Sequence, residues 1–455
     1  MYSKKIFALG IPLLAGNVSH YLYHLADTAM VGRLGNEPLA AIAVASLFTG
    51  ILFVLVWPVS LGSQAIASRR FGRQEEDPAG AEFTGRVLDN TMIVGLIAGF
   101  IAFAGAWAGR PLFRLLLDDS GIIENADIYV KMSRWGIPFV GISMAVRGFL
   151  AGTHRTKTIM ISNISSNLLN IFFNYIFIFG KFGFPAMGIK GAALGTVLAE
   201  IFAACYMASA LLNKEELKKY RYLTFRSLKG STMKDVAVIA YPVAIQNGVA
   251  LAVILAYEAM VGRLGIVYLA VTHIVFSMFR INKTIAGGFA QGSSILVGNF
   301  LGRGEKKEAE RVVLSCQIIA GIIGLLIFAA VMIFPETLIR LFTREPESLT
   351  LGVQAFRFFA VFFFIEILGY SFEIIFTNNG WGKFVLFSEF TTNMLFILGA
   401  SFLLTRVFSF GIKAAWLSFA LYQVFHAGIL LTGYISGRWA KIEVDGEAVS
   451  SEGSF

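Results

Sequence analysis

Cysteine is nearly absent: the chain of 455 residues has two, Cys205 and Cys316. Both fall inside long apolar stretches, so neither a disulfide framework nor a thiolate metal site is expected. Charge is scarce as well, at 15% of residues against 56% hydrophobic ones with 43 phenylalanines among them. A water-soluble fold of this length could not hide that much apolar surface in its core. The sequence has no P-loop, no H-E-x-x-H helix and no G-x-G-D pair, which removes ATP as a direct energy source and argues against an intramembrane protease. Ten-residue alternations of apolar and polar positions are missing too. Runs such as Ile318 to Phe334 are apolar on every face, which excludes a transmembrane β-barrel.

What the chain does have is one helix-length apolar stretch after another. A bilayer-spanning helix needs roughly 20 mostly apolar residues, and twelve such segments can be drawn. In the first half they run from Ile6 to Val31, Leu39 to Ser68, Leu88 to Ala108, Ile128 to Ala151, Ile159 to Phe179 and Gly188 to Leu212. In the second they run from Val236 to Val261, Leu269 to Gly298, Val312 to Phe334, Val353 to Thr377, Phe384 to Leu404 and Ile412 to Ile435. The expected fold is an all-α membrane protein of twelve transmembrane helices. The first segment is longer than a signal-peptide core and has no A-x-A cleavage site, so it reads as a retained helix.

The net charge of +9 invites a nucleic-acid reading, but its distribution follows topology instead. With the N-terminus inside and twelve crossings, most Lys and Arg fall at cytoplasmic ends and connections, placing both termini in the cytoplasm and the protein in the cell membrane. Lys214, Lys218, Lys219, Arg221, Arg226, Lys229 and Lys234 crowd the connection between the sixth and seventh segments. That cluster reads as a solvated anchor for anionic lipid headgroups rather than a binding site.

The strongest signal is internal. Met30-Val-Gly-Arg-Leu-Gly35 recurs identically as Met260-Val-Gly-Arg-Leu-Gly265. At the same offset Pro12 meets Pro242, Asn17 meets Asn247, Gly62-Ser63 meets Gly292-Ser293 and Gly72-Arg73 meets Gly302-Arg303. Further on, at a slightly shorter offset, Gly188-Ile-Lys190 meets Gly411-Ile-Lys413 and Asn170 meets Asn393. Two copies of six helices, an even number, enter the membrane in the same orientation, so the repeats are parallel and the architecture is two pseudo-symmetric six-helix bundles. The expected domains are an N-terminal bundle over 1–212, a cytoplasmic linker over 213–232, a C-terminal bundle over 233–440 and a polar tail over 441–455. Transporters commonly use this plan, with bundles that rock to open a cavity alternately to each side.

Leu25-Ala-Asp27-Thr-Ala-Met-Val-Gly-Arg-Leu-Gly35, followed by Leu39-Ala-Ala41, resembles the first helix and turn of the multidrug and toxic compound extrusion (MATE) family. Gly292 to Gly304 is similar to the end of that family's eighth helix, and Asn167 to Gly180 followed by Gly188 to Ala193 to its passage from helix 5 to helix 6. The resemblance covers essentially the whole chain and is closest in character to the DinF-type branch. It implies efflux of drugs or metabolites driven by inward H⁺ or Na⁺, with no cofactor and no enzymatic step. Two departures stand out. Where the family's fifth helix usually reads Asn-x-x-x-Asp, this chain has Asn170 and Asn174; and where some branches carry an acid eight residues after the helix 7 proline, this chain has Ala250.

An ionisable side chain in hydrocarbon is costly, by at least about 2.5 kcal/mol on insertion scales, so each should face a partner or a water-filled cavity. Asn17, His20, His24 and Asp27 recur at spacings that align them on one face of the first helix, a stripe that could hold or pass a proton. The two histidines could equally well only bond neighbouring helices. If the family fold holds, Asn170 and Asn174 approach Asp27 with Thr196 nearby, forming an ion-coupling site. Loss of a carboxylate at position 174 lowers the charge available to a hard cation, which favours H⁺ over Na⁺. Glu258, Arg280, Lys283, Glu366 and Glu373, with Glu389, mark a substrate or second polar site in the second half, or charge pairs that fix helix packing. Phe358, Phe359, Phe362, Phe363 and Phe364 fit core or lipid contact better than a pocket.

The expected function is thus a secondary antiporter exporting small organic molecules, acting in the lipid bilayer as a monomer and with no nucleic-acid partner. A lipid-linked-precursor flippase of the same superfamily is the alternative; a metalloenzyme using His20, His24 and Asp27 is a remote one, no metal being expected.

Overall fold

The structure is a computed structural model and describes residues 2–74, 80–225 and 228–444. Arg226 of the basic linker and nearly all of the polar tail lie outside the described residues. Every regular element among the described residues is helical. The first half comprises α1 (Ser3–Gly32), α2 (Asn36–Gln74), α3 (Ala81–Leu116), α4 (Ser120–Gly152), α5 (Thr156–Phe179) and α6 (Ile189–Ser209). The second comprises α7 (Gly230–Gly262), α8 (Ile266–Gly302), α9 (Lys306–Ile333), α10 (Pro346–Thr377), α11 (Gly382–Val407) and α12 (Ile412–Ile435). This is the twelve-helix, six-plus-six architecture of an all-α membrane protein.

Ten of these helices are long and apolar enough to cross a membrane. The two others, α5 with 24 residues and α8 with 37, have the length but interrupt their apolar runs. Helix α5 carries Asn163, Asn167, Asn170 and Asn174, and α8 carries His273, Arg280, Asn282 and Lys283. Polar groups at membrane depth must face protein or water, so these two helices mark where to look for function.

Local chemistry accounts for the irregularities. Trp57 and Pro58 interrupt α2 between Val56 and Val59, because Pro58 has no N–H to continue the ladder. Pro12 and Pro242, by contrast, lie within unbroken helices. In α11 the segment Asn393–Ala400 winds as a π-helix, a widening often found at functional sites. Large apolar side chains such as Leu25, Phe100, Ile101, Leu326 and Ile333 point away from the protein, as lipid-facing residues must.

By internal packing the chain forms two units. One contains residues 15–244 with 298–304, the other 1–14 with 245–297 and 305–442. The division falls a few residues after Pro12 in α1 and at the duplicated place after Pro242 in α7. In the first unit a core gathers around Ile42, Phe48, Leu52, Phe113, Tyr129 and Ile178. In the second it gathers around Tyr257, Phe279, Phe356, Phe359, Phe363, Trp416 and Phe419, which places Phe359 and Phe363 in packed interior.

Glycine contacts repeat with the duplication. In the first unit a side chain at Gly62 would press on the Val236 carbonyl at 2.7 Å; in the second, one at Gly292 would lie 3.1 Å from the Ile6 carbonyl. Val236 and Ile6 are related by the same offset as Gly292 and Gly62. Within the first unit, Arg73 donates from Nε to the Gly302 carbonyl at 3.1 Å, and Arg303 donates from Nε to the Gly72 carbonyl at 3.3 Å. A side chain at Gly72 would overlap the Asn299 carbonyl and one at Gly302 the Arg69 carbonyl. Only glycine lets these backbones approach so closely.

The linker is docked as well as basic. Asn213 caps the short helix Lys214–Tyr220. Asp89 at the start of α3 accepts the amides of Leu223 at 2.6 Å and Phe225 at 3.0 Å, and Asn90 accepts that of Lys229 at 2.8 Å. Arg155 pairs with Glu216 and donates to the Ala210 carbonyl at 2.8 Å.

Candidate functional site

Helices α5 and α6 pack closely because Gly191 and Gly195, four residues apart, present no side chain to α5: a Cβ at Gly191 would meet the backbone of Phe177, and one at Gly195 would overlap Oδ1 of Asn174. This small-xxx-small contact sets the Asn174 side chain against α6 and aims its amide at α1. There Asn174 Nδ2 donates to Asp27 Oδ1 at 2.8 Å and to Asn170 Oδ1 at 2.9 Å. Asn170 Nδ2 donates to Thr196 Oγ1 at 3.2 Å, and Thr196 donates to the Ala192 carbonyl at 3.0 Å. Tyr129 adjoins Thr196 and Ser133 at the end of this chain.

Asp27 is 7% exposed, Asn170 2% and Asn174 0%. The carboxyl group is thus enclosed by protein and held by an amide, with no Lys or Arg bonded to it. Oδ1 of Asn174 is buried without a hydrogen-bond partner. The structure therefore brings Asp27, Asn170, Asn174 and Thr196 into one connected network.

It does not bring the rest of the α1 stripe there. His20 and His24 are exposed and bond to each other, Nε2 to Nε2, at 3.2 Å. Their rings cluster with Tyr23, which lies 4.4 Å from His24 between centroids. Asn17 is half-buried. Arg147 on α4 donates to Asn163 Oδ1 at 3.3 Å.

The position duplicated from Asp27 is Tyr257, fully buried, whose hydroxyl donates to the Ala415 carbonyl at 2.8 Å. The counterparts of Asn174 and Thr196 are Ile397 and Phe419, both core residues. In the second half three of the four corresponding positions belong to the core, and the fourth, Asn393, the counterpart of Asn170, bonds Glu389.

A separate polar cluster forms there from α7, α8, α10, α11 and α12. Gln246 Nε2 donates to Glu373 Oε1 at 2.7 Å. Tyr422 donates to Glu389 Oε1 at 3.1 Å, joined by Asn393 Nδ2 at 3.3 Å. His426 Nε2 stands 3.6 Å from Glu373 Oε2 and 3.4 Å from Glu389 Oε2, and its Nδ1 is 3.1 Å from Ser388 Oγ. Asn282 donates to Glu366 Oε2 at 3.4 Å. Lys283 interacts electrostatically with Glu366, Glu373 and Glu389 and lies 5.1 Å from the centroid of the Tyr370 ring.

Of the residues expected at a second site, Lys283, Glu366 and Glu373 join this cluster and Glu389 with them. Glu258 and Arg280 do not: Glu258 pairs with exposed His273 at 3.2 Å, and Arg280 donates to Ser277 at 2.9 Å. Sequence reasoning passed over His426, Gln246 and Tyr422. A lone histidine within the apolar run from Ile412 to Ile435 was the available signal. Next to the cluster an apolar groove of about 460 Å³ runs between α9, α10 and α12, lined by residues including Gln317, Phe372, Leu431 and Tyr434, and it shares Gly369 and Ala427 with the polar cavity.

Comparison with known proteins assigns the fold and the family. The MatE family profile matches residues 12–176 and 242–402, one stretch in each half of the duplication. A probable multidrug resistance protein NorM of Thermotoga maritima is 25% identical over 440 residues, 96% of this chain and 93% of its own. The uncharacterised transporter YisQ of Bacillus subtilis is 24% identical over 91% of this chain and 90% of its own. A solved MATE structure in a bent conformation superposes with a TM-score of 0.87 at 22% identity, covering 96% of both chains. A MOP superfamily transporter from Pyrococcus furiosus, described as having a binding pocket of reversed polarity, gives 0.84 at 22% identity over 97% of each. With a polar network enclosed in one unit, a second in the other and matching segments in both halves, this multi-pass membrane protein belongs to the MatE family, whose members are transporters and not enzymes.

Proposed function

We propose that the protein is an H⁺-coupled antiporter that exports small organic molecules by alternating access of its two bundles. The single observation that carries this reading is the enclosure of Asp27 among neutral groups. One carboxyl bonded only to the Asn174 amide can gain or lose a proton without any other charge moving, and the bond has a different strength in the two states. Protonation rearranges the Asp27–Asn174–Asn170–Thr196 chain, and α1 bends near Pro12 or Gly16 to lower substrate affinity. Sodium is the weaker candidate, because a hard cation wants several oxygens and compensating negative charge, and the hydrogen-bonded network itself holds one carboxyl, with Glu200 a turn beyond Thr196 on α6 beside Tyr129.

The relatives named as multidrug resistance proteins support an organic substrate. The apolar groove of about 460 Å³ beside acidic side chains suits an apolar body with a cationic end. The distribution of Lys and Arg supports a reading in which both termini of this cell-membrane protein face the cytoplasm. The test is purified protein in liposomes, with H⁺ and Na⁺ gradients imposed separately and a fluorescent organic cation as cargo. Accumulation should follow the pH gradient, vanish with a protonophore and ignore sodium. Accumulation driven by sodium alone would overturn the assignment.

A further inference from the structure

The cluster of Glu373, Glu389 and His426 is built in a way that packing alone does not require. Each side chain has one polar atom engaged from outside: Glu373 Oε1 by Gln246, Glu389 Oε1 by Tyr422 and Asn393, and His426 Nδ1 by Ser388. One donor atom from each of the three side chains lies within 4.8 Å of the other two, with His426 Nε2 facing Oε2 of both glutamates. Glu389 and His426 are 6% and 5% exposed, and neither Glu389 Oε2 nor His426 Nε2 has a hydrogen-bond partner. Buried polar atoms without partners are expensive, by about 1–3 kcal/mol each. These two atoms stand 3.4 Å apart, close enough for one ion to touch both.

The spacing says what. Donor atoms held about 2.0–2.2 Å from a tetrahedral zinc ion lie roughly 3.4 Å apart. The two distances from His426 Nε2 are 3.4 and 3.6 Å. A second layer that fixes the outer atom of each ligand and orients the inner one is how proteins prepare such sites. Glu366, Glu373 and Glu389 gather around a single ammonium, Lys283, so the cluster is rich in carboxyl groups. A cavity of about 10 Å³ adjoins Glu373 and His426 on the side of Lys283, Glu366 and Tyr422, away from Glu389. Glu389 stands one turn before the π-helical segment Asn393–Ala400 of α11, a backbone widening frequently found at functional sites.

We propose that Glu373, Glu389 and His426 bind one divalent transition-metal ion of the zinc class, tying α10, α11 and α12 together, with a water or a further cluster group in the fourth position. A histidine nitrogen with two carboxylate oxygens suits such an ion and is foreign to sodium, which takes oxygen donors. The proposal revises the expectation that the chain holds no metal. It stands apart from the role given to Asp27, which lies in the other unit.

The test uses the full-length protein in detergent, stripped with a chelator and titrated first with Zn²⁺ and then with Co²⁺. One zinc per chain should bind and survive a sodium excess, and cobalt should give the intense visible absorption of a tetrahedral N/O site. Zinc affinity should fall about 10–100-fold in His426→Gln and Glu389→Gln and stay unchanged in Asp27→Asn. Zinc should also raise the melting temperature of the wild type. Binding that survives both substitutions, or zinc displaced by sodium, would overturn the assignment. Should neither variant fold, the wild-type protein decides: no saturable zinc and no tetrahedral cobalt band mean a metal-free cluster of ion pairs.

Discussion

Asn174 spends both of its amide hydrogens on two partners, Asp27 on α1 and Asn170 on its own helix, at 2.8 and 2.9 Å. The state of one carboxyl is thereby tied to the orientation of an amide, and through Asn170 to Thr196 on α6. Any change at Asp27 is felt on three helices.

Asp27→Asn should therefore abolish transport driven by a pH gradient while the protein still folds. The substituted amide keeps an oxygen to accept from Asn174, so stability should change by less than about 1 kcal/mol. Uptake of a fluorescent cation into proteoliposomes reads the first effect and a thermal melt the second. Concentrative transport at the normal rate in this variant would refute the coupling role.

Asn174→Asp adds the second carboxyl that the family pattern carries at this place. Two adjacent acids offer the charge and oxygens that a hard cation needs, so the variant should depend on sodium more strongly than the parent. Transport under imposed Na⁺ gradients decides the matter. If sodium still has no effect, the neutral residue at position 174 is not what selects the ion.

Gly195→Ala should damage the same network from behind, because the added methyl takes the space of Asn174 Oδ1. Overpacking of this kind costs about 1–3 kcal/mol, visible as a lower melting temperature together with slower transport. Gly50→Ala on α2 is the control, since a Cβ there meets nothing within 4 Å.

Asp89→Ala should release the linker. The amides of Leu223 and Phe225 would lose their acceptor, at about 1–3 kcal/mol for each one left buried, and trypsin should then cut faster after Lys218, Lys219 and Arg221. Nearby, burial and the adjacent Glu216 push the Tyr222 hydroxyl above its ordinary range, and it donates to the Leu211 carbonyl at 2.9 Å. The unfolded chain ionises this tyrosine first, so the contribution is present at neutral pH and declines as pH rises past about 10. Digestion at pH 8 and pH 10.5 should show the linker opening at the higher value.

The architecture was legible because it is written in long periods: twelve apolar runs and a duplicated hexapeptide are hard to arrange otherwise. The network around Asp27 was legible only through the family resemblance, which implied that α5 approaches α1; the residues alone marked its members. Asn170 and Asn174 sit one turn apart on a helix otherwise rich in Ile and Phe, and Asp27 is an acid in a span. His20 and His24 share a helical face with Asp27 by spacing, yet spacing along one helix does not say which side neighbouring helices cover, and both bond to each other instead of to Asp27. The Glu373, Glu389 and His426 cluster was half visible. Its acids stood out as charges in apolar runs, but its members come from three helices with no common repeat, and only packing joins them. The docking of the linker on Asp89 and Asn90 left no trace at all, since a basic segment reads as solvated until its backbone amides are seen to be occupied.

The paired contacts at Gly72 and Gly302 have a bearing on ancestry. Each arginine gives to the other copy's glycine what its own glycine receives, which is the self-complementary form that a two-fold axis imposes on a dimer of identical subunits. A six-helix protein half this size could have made the contact with a second copy of itself before the genes were joined. The two halves differ where their polar networks lie: Asp27 in the first half stands against Tyr257 in the second, so one fold came to carry two unlike sites.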